Sequence, residues 1–478
     1  MIFRGSGALL AIPLYLAACT SAGDRGWRTR LAMGIAIPRP QVSLAIDAAG
    51  DVIAAGPFDP TAFGDALAAG GRDASRFGAV KLSGSQGKIL WKQIIGTTRA
   101  DARALVLTSG MDPIVGVSVS DARGVRFVVA RLDRASGREL WRHTALASES
   151  ANFAVPPHLE LDPRGEVIAA GSLSDAESTV LRVRKLAASD GRELWSYSTP
   201  GTAAGRATAI ATTAEGNPVV AAIFSNAAGG HDLALIKIDG LDGAEIWRRI
   251  LPGASRTTPS GGVRVVALDR SRDVVAARLL SDGEGQTDLV LARLDGRNGA
   301  LRWVESVEAQ NGVALDLRQV DRNHLIAASA SPSGFHVARL AASDGRQIWH
   351  RQFGEDALCG ETVALRVDAA DDVIAAGFGC AAGRNLFVVK LAGGDGQPRW
   401  SRDVGTATGI VGKPRALAVD PDGDVFVAGY ATSATERVDL VILKLRGRDG
   451  QLPSVERLEP SRDAQTESAV SRGPKGSP

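Results

Sequence analysis

Three carboxylates, Asp420, Asp422 and Asp424, alternate around Gly423, and oxygen donors so close together on a tight turn are the set that a calcium ion takes. The equivalent turns weigh against it. Asp162-Pro163-Arg164-Gly165-Glu166 and the stretch 269–273 keep the turn without the full acid set, which points to a structural hairpin rather than a metal site. Gly412-Lys413 would suit a phosphate-cradling loop, but Ala407 stands where its first glycine belongs and Pro414 where a magnesium-binding hydroxyl belongs. The six histidines, at 143, 158, 231, 324, 336 and 350, form no cluster, and no Gly-x-Ser-x-Gly, Cys-x-x-Cys or His-Glu-x-x-His occurs. No catalytic, cofactor-binding or metal-binding residue is therefore assigned. Cysteine is the residue with chemistry left to do, and the chain has three: Cys19, Cys359 and Cys380.

The elements that would position these groups come from self-similarity. Ser136-Gly137-Arg138-Glu139-Leu140-Trp141 recurs as Asp190-Gly191-Arg192-Glu193-Leu194-Trp195 and as Asp344-Gly345-Arg346-Gln347-Ile348-Trp349. A glycine precedes Trp91, Trp141, Trp195, Trp247, Trp303, Trp349 and Trp400 by four residues, and these tryptophans stand 46 to 56 residues apart. An alternating apolar run comes before each turn, for instance Leu233 to Ile238, so each phrase predicts a hairpin whose second strand carries the tryptophan. A second hairpin precedes it, at 44–56, 159–171, 364–377 and 416–429, with weaker copies at 104–117, 209–222, 264–277 and 314–328. Eight four-stranded antiparallel units with no helix predict an all-β, eight-bladed β-propeller. The last hairpin has Ser454 where tryptophan is expected, while Trp27 lies alone near the start with Gly23 four residues before it. The N-terminal segment Trp27 to Met33 thus fits the outer strand of the last blade, beside Leu440 to Leu445, and closes the ring. Seven blades and a partial one is the rival count.

Cys359 and Cys380 flank one hairpin centred near Ala370 and would face each other across it, within bridging reach. A disulfide there closes a loop of roughly 20 residues and stabilises by about 3 kcal/mol in the chain-entropy treatment. Two unpaired buried thiols are the alternative.

The decapeptide Leu132 to Trp141 resembles the tryptophan-docking repeat of quinoprotein-like propellers, in which the indole packs between neighbouring blades. That resemblance implies a docking role for Trp27, Trp91, Trp141, Trp195, Trp247, Trp303, Trp349 and Trp400. Asp288 to Asp295 and Ala418 to Thr432 resemble bacterial propeller repeats of large secreted proteins, in which a Lys/Arg-Leu strand alternates with an Asp-Gly-Asp-Val hairpin. The propeller lipoproteins of outer-membrane β-barrel assembly are similar at the level of fold alone.

The first eighteen residues resemble a lipoprotein signal peptide. Arg4 precedes an apolar run of about eleven residues, Ala8 to Ala18, too short for a membrane span. The run ends Leu16-Ala17-Ala18-Cys19, similar to the lipobox after which bacterial lipoproteins are cleaved and lipidated on cysteine. Thr20 and Ser21 follow in place of an inner-membrane retention aspartate, so the resemblance implies a lipid anchor on Cys19 in the outer membrane. The expected division is signal peptide 1–18, tether 19–24, propeller 25–458 and, from its Ser, Arg, Gly, Glu and Pro content, a disordered tail 459–478.

Of the 478 residues 45% are hydrophobic and 23% charged, enough apolar surface for a large core. With 55 basic and 53 acidic residues the net charge is +2, which argues against a nucleic-acid partner. The expected function is a non-catalytic, monomeric, lipid-anchored scaffold without cofactor, binding an envelope protein or polysaccharide. The alternative is a divergent periplasmic quinoprotein-type oxidoreductase. Against it, such enzymes carry an adjacent cysteine pair and a calcium-held quinone, and this chain lacks the pair. The long connections 57–76, 146–157 and 252–262 share one face and are the expected binding loops.

Overall fold

The structure is a computed structural model that describes residues 26–32, 42–58, 76–96, 100–121, 124–146, 153–174, 179–199, 205–226, 231–252, 263–267, 272–281, 287–307, 314–331, 334–353, 364–379, 385–404, 414–432 and 438–452. Among the described residues there are thirty-two strands and no helix, numbered in chain order from β1 (Arg28–Ala32) to β32 (Val438–Leu445). They form eight antiparallel sheets of four, the blades of a propeller. Blade 1 runs β2 (Ser43–Ile46), β3 (Val52–Phe58), β4 (Arg76–Leu82), β5 (Ile89–Gly96), and these positions are called A to D in every blade. The A strands of neighbouring blades contact one another around the ring, and the D strands lie at the rim.

Burial explains the wording of each strand. B and C strands are covered by blades on both faces, so they read as near-continuous apolar runs. Val52, Ile53, Ala54 and Ala55 are all almost wholly buried. A D strand has water on one face and keeps only its tryptophan and one or two other side chains inside, as in Glu193–Ser198, where Trp195 and Tyr197 are buried between exposed neighbours. The core is accordingly not central. Eight apolar clusters lie between successive blades, and each contains one tryptophan.

Blade 8 combines both ends of the described chain. Its order is β30 (Pro414–Val419), β31 (Val425–Thr432), β32 and then β1, with Arg28 opposite Leu443 and Ala32 opposite Asp439. The carbonyl of Trp27 accepts from the Lys444 amide at 2.8 Å. Trp27 and Leu31 pack with Leu44 and Val80 of blade 1 and Phe426 and Leu440 of blade 8, so the ring is closed with eight whole blades and the rival count falls. Cys19, Cys359, Cys380, Gly23, Met33 and the segments 1–18 and 459–478 lie outside the described residues, as do 59–75, 147–152 and 253–262 of the long connections, while 153–157 belong to the strand Phe153–Leu161 rather than to a connection.

Candidate functional site

Every tryptophan ties its blade to the next. The indole Nε1 of Trp27 donates to the carbonyl of Gly84 at 2.7 Å, Trp91 to Arg134 at 3.0 Å, Trp141 to Ala188 at 2.8 Å and Trp195 to Gly240 at 3.1 Å. Trp247 donates to Gly296 at 3.1 Å, Trp303 to Ala342 at 3.3 Å, Trp349 to Gly393 at 2.8 Å and Trp400 to Gly447 at 2.9 Å. The glycine of each Trp phrase serves the preceding blade's indole rather than its own. At Gly137, φ is +71° and a Cβ would lie 2.5 Å from the ring of Trp91, so both the turn and the stacking require glycine. Gly450 lies under Trp400 and Gly87 under Trp27, which completes the circle. The glycine under Trp27 is therefore Gly87.

A second ring, unseen in the sequence, lies behind the first. In blades 1, 2, 3, 5, 7 and 8 the last lysine or arginine of the C strand turns toward the A–B turn of its own blade. Lys81 lies 2.7 Å from Asp47, Lys185 2.7 Å from Asp162 and Lys390 2.7 Å from Asp368, while Arg131 pairs with Asp112 at 2.6 Å and Arg293 with Asp273 at 2.8 Å. Three of the lysines also reach the carbonyl that a tryptophan uses: Lys185 with Trp195 on Gly240, Lys237 with Trp247 on Gly296, Lys390 with Trp400 on Gly447. The aspartates of the calcium-like turn belong to this ring. Asp420 Oδ1 accepts from the amides of Asp422 and Asp424, and Lys444 Nζ sits 3.2 Å from Asp420 and 2.9 Å from Asp424. Asp424 also accepts from the Gly447 amide at 2.7 Å, so a lysine and turn amides take the oxygens a cation would need.

The quinone reading meets an obstacle in the same geometry. All eight tryptophans belong to rim strands and dock blades, so none is left to stack on a planar group in the central channel. Among the described residues no three His, Cys, Asp or Glu side chains come together as a metal site. The described residues do not fit a calcium-held quinone, and no reaction step is derived through one.

Two partly or wholly buried titratable groups make folding pH-dependent. Burial pushes Glu160, on the A strand of blade 3, up to about 7, with distant Arg318 pulling the other way. Burial, then the neighbouring His350, pushes His336 down to about 4; the two rings stack at 5.3 Å with Nδ1 and Nε2 3.1 Å apart. Below its ordinary value of 6.5, His336 takes a proton when unfolded but resists it when folded, so stability falls with pH down to about 4, by about 3 kcal/mol in all. Between 4.5 and about 7, Glu160 holds a proton in the fold that the unfolded chain releases, so its contribution falls as pH rises. The two slopes oppose each other over pH 4.5–6.5. Urea unfolding over this range, each variant compared with the natural chain, separates the two. Glu160→Gln should show stability climbing with pH, and His336→Val should show it declining; an unchanged profile in both variants would refute these assignments.

One place on the rim is open. Between the D strands of blade 4 (Glu245–Leu251) and blade 5 (Leu301–Val307) lies a groove of about 240 Å³, walled by Leu233, Leu251 and Val290 and by the exposed side chains of Ile250, Leu301 and Val304. Arg249 and Arg278 also line it, and no acidic side chain does among the described residues. The Arg278 guanidinium donates to the carbonyls of Leu251 at 3.2 Å and Pro252 at 2.6 Å. Burial holds it below the usual arginine range, with Asp232 acting in the opposite sense. Sequence reading missed this groove, because Arg249 differs in no way from the chain's many other arginines until register places it.

Eight blades locked by a closed ring of indole-to-turn docks define a tryptophan-docked β-propeller of the quinoprotein-like kind. Residues 15–286 and 233–440 match the family of outer membrane protein assembly factor BamB, and the chain belongs to that family. No curated protein matches the chain. Among solved structures, the quinohemoprotein alcohol dehydrogenase ADHIIG from Pseudomonas putida HK5 is similar at 14% identity, with 93% of this chain and 80% of that chain covered and a TM-score of 0.52. The Dos1 propeller is similar at 9% identity, with 90% of this chain and 97% of that chain covered and a TM-score of 0.52. At these identities the likeness is one of fold alone, shared by an enzyme and a propeller not described as one.

Proposed function

We propose that this chain is a lipid-anchored envelope propeller that acts by binding a protein partner rather than by catalysis. The observation that carries the reading is the match over residues 15–440 to a family described by an outer-membrane assembly factor. The use of all eight tryptophans to hold blades together, and of turn aspartates such as Asp420 to pair with a cation of their own blade, supports it, because those are the groups a quinone and its metal would otherwise claim. Among the described residues no helix is long and apolar enough to cross a membrane. In this reading residues 1–18 are removed, Cys19 carries the lipid on the outer membrane, Cys359 and Cys380 are bridged, and the connections 57–76, 146–157 and 252–262 face the partner. A polysaccharide partner is the second choice, since assembly factors act on proteins.

Crosslinking on intact cells, with the adducts identified by mass spectrometry, tests the reading. A discrete protein adduct that Cys19→Ala abolishes, along with lipid-dependent fractionation, is the expected result. Dye-linked oxidation of alcohols or sugars by protein reconstituted with pyrroloquinoline quinone and calcium, without any adduct, would replace it with the oxidoreductase.

A further inference from the structure

Neighbouring D strands meet at the rim. In blades 1 to 7 a β-bulge lies beside the residue two before the tryptophan, as register shifts at Lys237/Ile238 and Arg293/Leu294 record. In two junctions that residue meets the one two after the preceding blade's tryptophan. Tyr197 of blade 3 bonds Glu245 of blade 4 at 2.5 Å, and His143 of blade 2 lies 3.8 Å from Glu193 of blade 3. Where arginine occupies the same place it bonds the next turn instead: Arg351 reaches the carbonyls of Gly396 and Asp395, and Arg402 those of Gly450 and Asp449.

Blade 4 differs from these. Its residue two after the tryptophan is Arg249, exposed and without a hydrogen bond or ion pair among the described residues. The position that carries glutamate in blades 3 and 4 is Leu301 in blade 5. Arg249 makes neither kind of contact, and the groove opens beside it. Three aliphatic side chains at its edge, Ile250, Leu301 and Val304, are 55%, 42% and 48% exposed. A volume of about 240 Å³ exceeds the roughly 150 Å³ that accepts a benzene, so it holds one or two aliphatic side chains. Beside the groove, the strand Leu301–Val307 is the last of its sheet among the described residues, and an extended chain can lie along such an edge.

We propose that this groove seats a short extended segment of the protein partner that carries one carboxylate between aliphatic side chains. The segment's carboxylate pairs with Arg249, in a groove that offers no acid of its own among the described residues. This rests on the protein-partner reading above and adds the chemistry of what is recognised. The edge strand favours a peptide over a fatty acid, which has no amides to pair with it.

The test uses fluorescein-labelled Ser-Val-Leu-Glu-Ile-Val-Ser and its Glu→Gln and Glu→Lys forms, titrated by anisotropy against the full mature chain and against Arg249→Ala and Val304→Asp. Both substituted side chains are exposed, and thermal unfolding of each variant checks that the fold is kept. The Glu peptide should bind about tenfold or more tighter than the Gln form, and Arg249→Ala should erase that difference while Val304→Asp weakens both. Equal affinity for all three peptides, or a Glu preference that survives Arg249→Ala, overturns the proposal. So does octanoate binding in the groove when no peptide does, which would make the occupant a free amphiphile. A photocrosslinker at Ile250 separates the two levels in cells. Adducts from 57–76 but none from Ile250 reject the groove and keep the protein partner, whereas no adduct from either site rejects both.

Discussion

Deleting residues 26–32 should unfold this propeller at a much lower urea concentration than deleting 459–478, by more than the about 3–5 kcal/mol that truncating one buried tryptophan costs. The reason is topological. β1 is a single strand of five residues, yet it supplies the D strand of blade 8, the indole that docks on Gly84 and the cover over β32. Leu440 and Ile442, now wholly buried, would stand beside an unpaired strand edge. Trp27→Ala tests the dock apart from the strand and should cost about 3–5 kcal/mol. Trp303→Ala should cost less, because Trp303 is only half-buried and its 3.3 Å bond to Ala342 is the longest of the docks. Light scattering of the deletion variant should also reveal association through the exposed edge. Equal midpoints for the two deletions would mean that the ring does not depend on its N-terminal strand.

The blade number was legible because its evidence is local. Gly-x-x-x-Trp marks a turn and a rim strand within one short phrase, and the absence of tryptophan at Ser454 could be set against the surplus Trp27. The partners were not legible, since they sit one blade away. Gly137 looks like the turn glycine of its own hairpin, which it is, and only the fold brings the ring of Trp91 above it. The cations were hidden for another reason. Lys185 and its equivalents occupy one place in an alternating strand, where a charged residue ordinarily reads as a solvated face. Only the stacking of blades against one another converts that face into an interior. Arg249 needed the most structure of all, because its meaning comes from the groove beside it, and Leu301 at the position of a glutamate has no signature until the bulged register is known.

The buried pairs should prove asymmetric, and Lys185 with Asp162 is the place to measure it. Their side chains are 5% and 2% exposed and 2.7 Å apart. Lys185→Met leaves a carboxylate without a cation in the interior and should cost about 3–5 kcal/mol. Asp162→Asn keeps the oxygen that accepts from the amides of Arg164 and Glu166, and leaves Lys185 its bond to the Gly240 carbonyl. Blade 4 already lives in that state. Thr213 and Asn217 stand there in place of the acids, and Lys237 rests on the Gly296 carbonyl at 2.6 Å, its pKa lowered by burial. Among the described blades none keeps the acid and drops the cation. Asp162→Asn should therefore cost only about 1–2 kcal/mol, and the double variant less than the sum of the two, with a coupling of about 1–3 kcal/mol from urea unfolding. Additive losses would show that the lysine acts through its bond to the next blade alone. A costlier Asp162→Asn than Lys185→Met would show that the turn, rather than the charge it shields, is what the pair protects.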